Sequence, residues 1–254
     1  MLQAPPRDVR HKGEVDLVTE VDLACEAAIV AILEQDAPGI PILGEEGSSA
    51  GAPIPPTCWI VDPLDGTTNF VHGYPAYGVS IALQVDGVLE LGCVHDPLRD
   101  ETFTAQRGRG AACNGQPLGV SGVRDMGRAL LISGFPYDRR ERAAFYLAFF
   151  QAFMERCQGV RRAGAASLDL AWLAAGRADG YWEFGLKPWD IAAGALIIRE
   201  AGGCVTGMCG EPLELAGARI VASNGHLHRQ IDAILEGVFS RMDDKLEDPR
   251  RSEA

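Results

Sequence analysis

Five acidic residues stand where a carboxylate is costly unless something positive meets it: Glu45, Asp62, Asp65, Asp190 and, less pointedly, Asp22. Asp62 follows the apolar run Trp59-Ile60-Val61, which reads as a buried strand, and Asp190 opens an apolar, helix-like stretch. A lone aspartate before a proline or a helix is ordinarily a cap. The group asks for another reading, because no arginine stands close in sequence to neutralise it. Hard oxygen donors select Mg²⁺, Ca²⁺ or Mn²⁺. The spacing Asp62-x-x-Asp65 lets two carboxylates leave one turn toward adjacent ions, with Pro63 stiffening the backbone between them. A carboxylate bridging two ions about 4 Å apart is the usual clamp for phosphoryl transfer. Gly66-Thr67-Thr68 then supplies what a phosphate needs. Glycine permits close backbone approach, N–H groups at a helix start can bind phosphate oxygens, and a threonine hydroxyl can orient a water. By itself G-T-T is only a turn; behind D-P-L-D it reads as part of a site.

These residues need elements to hold them. Apolar positions at helical spacing predict a helix over 21–34, ended by Pro38 and Pro41, then a short strand at Ile42-Leu43 leading into Gly44-Glu45-Glu46-Gly47. Residues 47–56 are the most loop-like segment. From 76 to 103 the pattern is strand-rich, with a hairpin at Asp86-Gly87, and Asn114-Gly115 marks another turn. Further on, strands are expected at 129–133, 178–184, near Val205 and at 220–222. Helices are expected over 139–156, 167–175, from an N-cap at Asp190 to 201, and 226–241. Residues 1–11 read as frayed and those after Met242 as a disordered charged tail. The chain divides into an N-terminal α+β half, 1–118, with most of the candidate ligands, a C-terminal α/β half, 119–242, with Asp190, and the tail, 243–254. Hairpins mixed with long helices favour a layered α+β architecture over a doubly wound parallel sheet.

The bulk properties narrow the class. A formal net charge of −12 argues against sequence-independent nucleic-acid binding, which needs basic surface. It leaves room for an anionic substrate, because a bound cation reverses the local sign. The seven cysteines, an odd number with no C-x-x-C pair, read as buried reduced thiols. With no signal-peptide core and no apolar run long enough to span a bilayer, a cytoplasmic protein is expected. Cysteines and histidines show no nucleophilic arrangement.

The segment 59–70, WIVDPLDGTTNF, resembles the first signature of the inositol monophosphatase family, and Lys187-Pro188-Trp189-Asp190-Ile191-Ala192-Ala193-Gly194 followed by Glu200-Ala201-Gly202-Gly203 resembles the second. Gly44-Glu45-Glu46 and the segment 16–22, DLVTEVD, match earlier family segments, so the resemblance spans about 12–234. It implies an αβαβα sandwich of the sugar-phosphatase type and a lithium-sensitive phosphatase with two or three Mg²⁺ ions. Glu45, Asp62 and the Leu64 carbonyl would hold the first ion, and Asp62, Asp65 and Asp190 the second, with a looser third by Glu45. Thr67, linked to Asp22, would orient the attacking water with Glu45 taking up its proton, and Gly66 and Thr67 would bind phosphate through N–H groups. Asp65, Gly164, Ala166, Glu183 and Asp190 would line the alcohol side, and Lys12 would sit on a loop over the site. In Gly164-Ala165-Ala166 an alanine stands where relatives often have serine or threonine, removing one hydroxyl. The implied substrate is myo-inositol 1-phosphate. Histidinol phosphate, fructose 1,6-bisphosphate, nucleotide 3′-phosphates and NADP are the alternatives, as is a regulatory binding protein that keeps the fold. The implied partnerships are a small phosphorylated substrate and a homodimer, with neither membrane nor direct nucleic-acid binding.

Overall fold

A computed structural model describes residues 9–11, 17–47, 53–217 and 219–242. Fourteen strands and six α-helices are present among the described residues. The first strands, β1 (Val9–His11) and β2 (Leu17–Thr19), pair antiparallel, so the expected fraying does not extend to residue 9. Helix α1 (Glu20–Asp36) follows. Next come β3 (Ile42–Gly44), β4 (Cys58–Asp65), the short α2 (Thr67–His72), β5 (Gly78–Val85), β6 (Val88–Asp96), β7 (Glu101–Gln106), β8 (Ala111–Cys113) and β9 (Gln116–Pro117). These seven strands form one sheet in sequential order, β3 to β9. The Asp86-Gly87 hairpin and the Asn114-Gly115 turn both appear, with positive φ at all four residues.

The second sheet is built from β10 (Leu130–Ser133), β11 (Gly159–Arg161), β12 (Gly180–Phe184), β13 (Cys204–Thr206) and β14 (Arg219–Ser223), in the order β11-β10-β12-β14-β13. Its helices are α3 (Ala143–Met154), α4 (Ala166–Ala174), α5 (Pro188–Glu200) and α6 (His228–Phe239). The expected helix over 139–156 is shorter, because Tyr137–Arg140 forms a separate 3₁₀ turn. The expected tail after 242 lies outside the described residues.

Packing gives the layers. Helices α4 and α5 lie between the sheets, sharing one core with Ile60, Ala82 and Phe103 on one side and Tyr181 and Ile220 on the other. Outside the second sheet, Phe145, Phe149 and Phe153 of α3 join Ile231 and Leu235 of α6 against Trp182 and Phe184. Outside the first sheet, Val21 and Cys25 of α1 meet Leu64, Phe70 and Tyr77. The result is the αβαβα sandwich. Strand β12 is covered on both faces and buried throughout. Its alternation sends Trp182 and Phe184 to the outer core and leaves Tyr181 and Glu183 on the inner side, toward α4 and α5. None of the seven cysteines forms a disulfide; Cys58 is buried and the other six are only partly so, against the expectation of buried thiols. No helix among the described residues is long and apolar enough to cross a membrane.

Candidate active site

Strand β4 breaks where its chemistry begins. Asp62 pairs with Ser80 and Asp65 with Gly78, so two intervening residues on β4 face one on β5. Pro63, which has no N–H to give a ladder, sits in this bulge. The Leu64 N–H turns back to donate to Asp62 Oδ1 at 3.0 Å. Gly66 follows at φ 88°, where an added Cβ would lie 2.9 Å from the Ala76 carbonyl oxygen and 3.2 Å from Ala165 Cβ. Only glycine fits there. The chain then enters α2 at Thr67.

Helix α5 brings the distant acid. Lys187 is its N-cap residue and Pro188 its first turn; Asp190 sits at the third position, not at the cap expected from sequence. Asp190 Oδ2 accepts the Lys187 N–H at 2.7 Å, which fixes the side chain and leaves the other oxygen uncommitted to the cap. One carboxylate oxygen each from Asp62, Asp65 and Asp190 lie within 4.8 Å of one another. Glu45, in the turn after β3, is near enough to raise the pKa of both Asp62 and Asp190. Burial pushes Asp62 and Asp190 well above the usual carboxylate range, and the neighbouring acids push further. Asp65 is raised less: burial is opposed by hydrogen bonds from Ser167. Among the described residues, the groups that shift these three carboxylates are other acids and hydrogen-bond donors, not an arginine or lysine side chain. Crowded carboxylates at the mouth of the core, offering only oxygen donors, fit a hard divalent ion.

Thr67 and Asp22 meet as expected. Asp22 is the third residue of α1, where Oδ2 accepts from the Thr19 N–H at 2.8 Å and hydroxyl at 2.6 Å. Its Oδ1 faces the Thr67 hydroxyl at 3.1 Å, and the Leu64 carbonyl oxygen lies equally close to that hydroxyl. With one hydrogen for two acceptors, the Thr67 oxygen keeps lone pairs to accept from a water.

The start of α4 leans on the same turn. Asn69 donates its amide to the carbonyls of Ala76 at 2.6 Å, Ala163 at 2.9 Å and Gly164 at 3.2 Å, and Ala165 Cβ packs over Gly66. Glu183, on β12, is buried. Burial lifts its pKa to about 7, opposed by the Tyr181 hydroxyl and Arg162 and aided by Asp65. Tyr181 donates to Glu183 Oε2. Gly134 makes room for this carboxylate, since a Cβ there would come within 2.0 Å of it. Lys12 lies outside the described residues.

Sequence reasoning missed four contributors. Ser167 bonds Asp65 through both N–H and hydroxyl. Tyr181 bonds Glu183, and Asp169 is a buried acid on α4 pushed well up by burial and by Glu183. Glu26 accepts the Glu46 N–H at 2.9 Å and so holds the turn that carries Glu45. The signal for Glu26 was available: a glutamate four residues after Asp22 shares its helical face.

Residues 3–238 match the family described as the inositol monophosphatase family. The chain is 50% identical over 223 residues to the Nus factor SuhB of Pseudomonas aeruginosa, covering 85% of this chain and 81% of that one. It is 43% identical over 230 residues to the inositol-1-monophosphatase of Synechocystis, covering 90% and 80%. Among solved structures, the inositol monophosphatase from Anabaena superposes with a TM-score of 0.81 at 44% identity, over 85% of this chain and 86% of that one. An IMPase/NADP phosphatase complexed with Mg²⁺ and phosphate gives 0.79 at 27% identity, over 90% and 85%. A lithium-soaked inhibitory complex of staphylococcal inositol monophosphatase-1 gives 0.80 at 27%, also over 90% and 85%. One expectation falls here. Relatives from Vibrio cholerae and Escherichia coli share the name Nus factor SuhB, so the exclusion of nucleic-acid partnerships does not stand. Its physical weakness is plain: net charge sums over the whole surface and does not dictate what one face offers, such as the arginines at 139, 140 and 142.

Proposed function

Because the chain belongs to the inositol monophosphatase family, we propose that it is a magnesium-dependent phosphatase that converts myo-inositol 1-phosphate to inositol and phosphate. The observation that carries the reading is the group of buried Asp62, nearly buried Asp65 and half-buried Asp190 within 4.8 Å, with Glu45 beside it and, among the described residues, no cationic side chain in the balance. Glu45, Asp62 and the Leu64 carbonyl would hold one ion, and Asp62, Asp65 and Asp190 another. When bound, such ions supply positive charge at the phosphoryl group and a water acidified enough to attack at neutral pH. The protein's own groups orient the rest. Thr67 accepts a hydrogen from the attacking water while donating toward Asp22, and Glu45 takes the released proton. Gly66 and Thr67 offer N–H groups to the phosphate oxygens, since the first N–H groups of a helix have no partner within it. The water oxygen forms the new P–O bond, the inositol oxygen leaves, and a second water protonates it.

The preference for inositol rests on Glu183. Its carboxylate is buried beside Asp65 with Tyr181 holding one oxygen, leaving an acceptor for substrate hydroxyls. A site built to bond a hydroxyl strongly rejects analogues that lack it. Phosphate release from a substrate panel with Mg²⁺ tests this. Myo-inositol 1-phosphate should exceed histidinol phosphate and aryl phosphates in kcat/KM, and Glu183→Gln should erode that preference more than it slows aryl phosphate hydrolysis. If histidinol phosphate is the best substrate, the assignment within the superfamily is wrong.

The relatives named Nus factor SuhB favour a second, regulatory role alongside hydrolysis. Asp190→Asn expressed in cells lacking the native gene separates the two. A defect repaired by this variant belongs to the second role; one repaired only by the wild type belongs to hydrolysis.

A further inference from the structure

Ser167 is the second residue of α4, fully buried, and stands 102 residues from its partner Asp65. Both of its donors converge on one carboxylate oxygen: the Ser167 N–H lies 2.7 Å and its hydroxyl 2.6 Å from Asp65 Oδ2. Hydrogen bonds to a charged acceptor are shorter and stronger than neutral ones. A carboxylate held by two donors on one oxygen can turn only about that anchor, so its other oxygen is confined to one place. The donors come from a helix packed against α5, which carries Asp190, whereas Asp65 itself belongs to the opposite sheet. Ser167 therefore fixes Asp65 in the frame of Asp190, the very separation that a shared cation would sense. The same device recurs at two other acids: Asp22 and Asp190 each give Oδ2 to their helix cap. At Asp22 a distant side chain, the Thr67 hydroxyl, faces the other oxygen, Oδ1; at Asp65 the distant side chain takes the anchoring oxygen itself.

We propose that Ser167 is a positioning residue that sets the Mg²⁺ affinity of the site by orienting Asp65. This deepens the metal-dependent reading above and rests on it. The alanines at 165 and 166 carry no hydroxyl, so the hydroxyl of this segment serves the metal ligand, not the substrate.

The test compares wild type, Ser167→Ala and Ser223→Ala. Ser223 is an equally buried serine that bonds His228 on the far side of the second sheet. Two quantities are read against magnesium concentration: phosphate release from an aryl phosphate, and Tm without substrate. Loss of a group that orients a metal ligand typically weakens metal affinity by about 10- to 100-fold. Because the Ser167 N–H remains in Ser167→Ala, a rise of about 10-fold in the magnesium needed for half-effect is expected in both measurements. The substrate KM at saturating magnesium should stay within about twofold. Ser223→Ala should lower Tm in chelator without moving either magnesium midpoint. Unchanged or lower magnesium midpoints in Ser167→Ala would overturn the proposal. If Ser167→Ala does not fold, Ser167→Cys, which keeps a weaker buried donor, should show a smaller rise, and no rise in it counts equally against the proposal. Wild type that responds to magnesium in neither measurement would instead sink the metal-dependent reading itself.

Discussion

Replacing Asp190 by asparagine should make the metal-free protein more stable and the magnesium-loaded protein less so. Asparagine keeps the side-chain oxygen that accepts the Lys187 N–H, so the start of α5 retains its cap. What disappears is one charge from a group whose oxygens lie within 4.8 Å. Two full charges at that distance repel by roughly 3 kcal/mol at an effective dielectric of about 20. The acids escape part of this by holding protons, as their raised pKa values show, so the net gain in chelator at pH 7 is about 1–3 kcal/mol. For a chain of this size that is about 3–10 °C in Tm. The sign follows from linkage. Asp190 binds its proton more tightly folded than unfolded, so its contribution to stability is intact below the unfolded carboxylate pKa and lost as pH rises. The advantage of asparagine should therefore grow from acid toward neutral pH. Magnesium at about 100 times its Kd should stabilise wild type by about 2.7 kcal/mol, and the variant by much less. Thermal unfolding by circular dichroism, in EDTA and in magnesium, should show the two proteins change order. The same order in both conditions, or equal magnesium shifts, would refute the reasoning. Turnover should fall by about 100-fold or more, as when one electrostatic contribution to the transition state is removed.

Three further outcomes are expected. Activity should vanish in EDTA, return with Mg²⁺ and be inhibited by excess Ca²⁺, whose longer, looser coordination misplaces the reacting groups; full activity in chelator would exclude the mechanism. LiCl should inhibit where KCl does not, since Li⁺ is close to Mg²⁺ in size with half its charge, and superimposable salt curves would count against this. Gly134→Ala places a methyl within 2.0 Å of the Glu183 carboxylate and must displace it; the preference for inositol phosphate over aryl phosphates should collapse while aryl phosphate hydrolysis persists, and an unchanged ratio would remove Glu183 from the substrate pocket.

Local signals explain what could be read early. The Asp86-Gly87 hairpin, the helices of residues 20–36, 166–174 and 228–239, and the β4 strand ending in D-P-L-D each follow from residues within a few positions of one another: turn formers with positive φ, apolar spacing, a proline that cannot join a ladder. Short pieces such as Gly159–Arg161 escaped, because three residues carry no periodicity and this strand exists only as an edge partner of Leu130–Ser133. Residues 9–11 were misread for the same reason, their order coming from pairing with 17–19.

For the candidate site the division is sharper. The residue types in D-P-L-D-G-T-T, and a helix beginning near Asp190, are properties of the sequence alone. Their convergence is not: Asp62 and Asp190 are 128 positions apart, and family resemblance, not spacing, joined them beforehand. Only the packing of α5 between the sheets brings their oxygens within 4.8 Å, only the pairing across β12 buries Glu183, and only the approach of α4 to β4 gives Asp65 its anchor in Ser167. Backbone conformation answers to near neighbours, which sequence displays. Burial, pKa and the partner of a buried carboxylate answer to whatever the fold places within a few ångströms, and that is decided by tertiary packing.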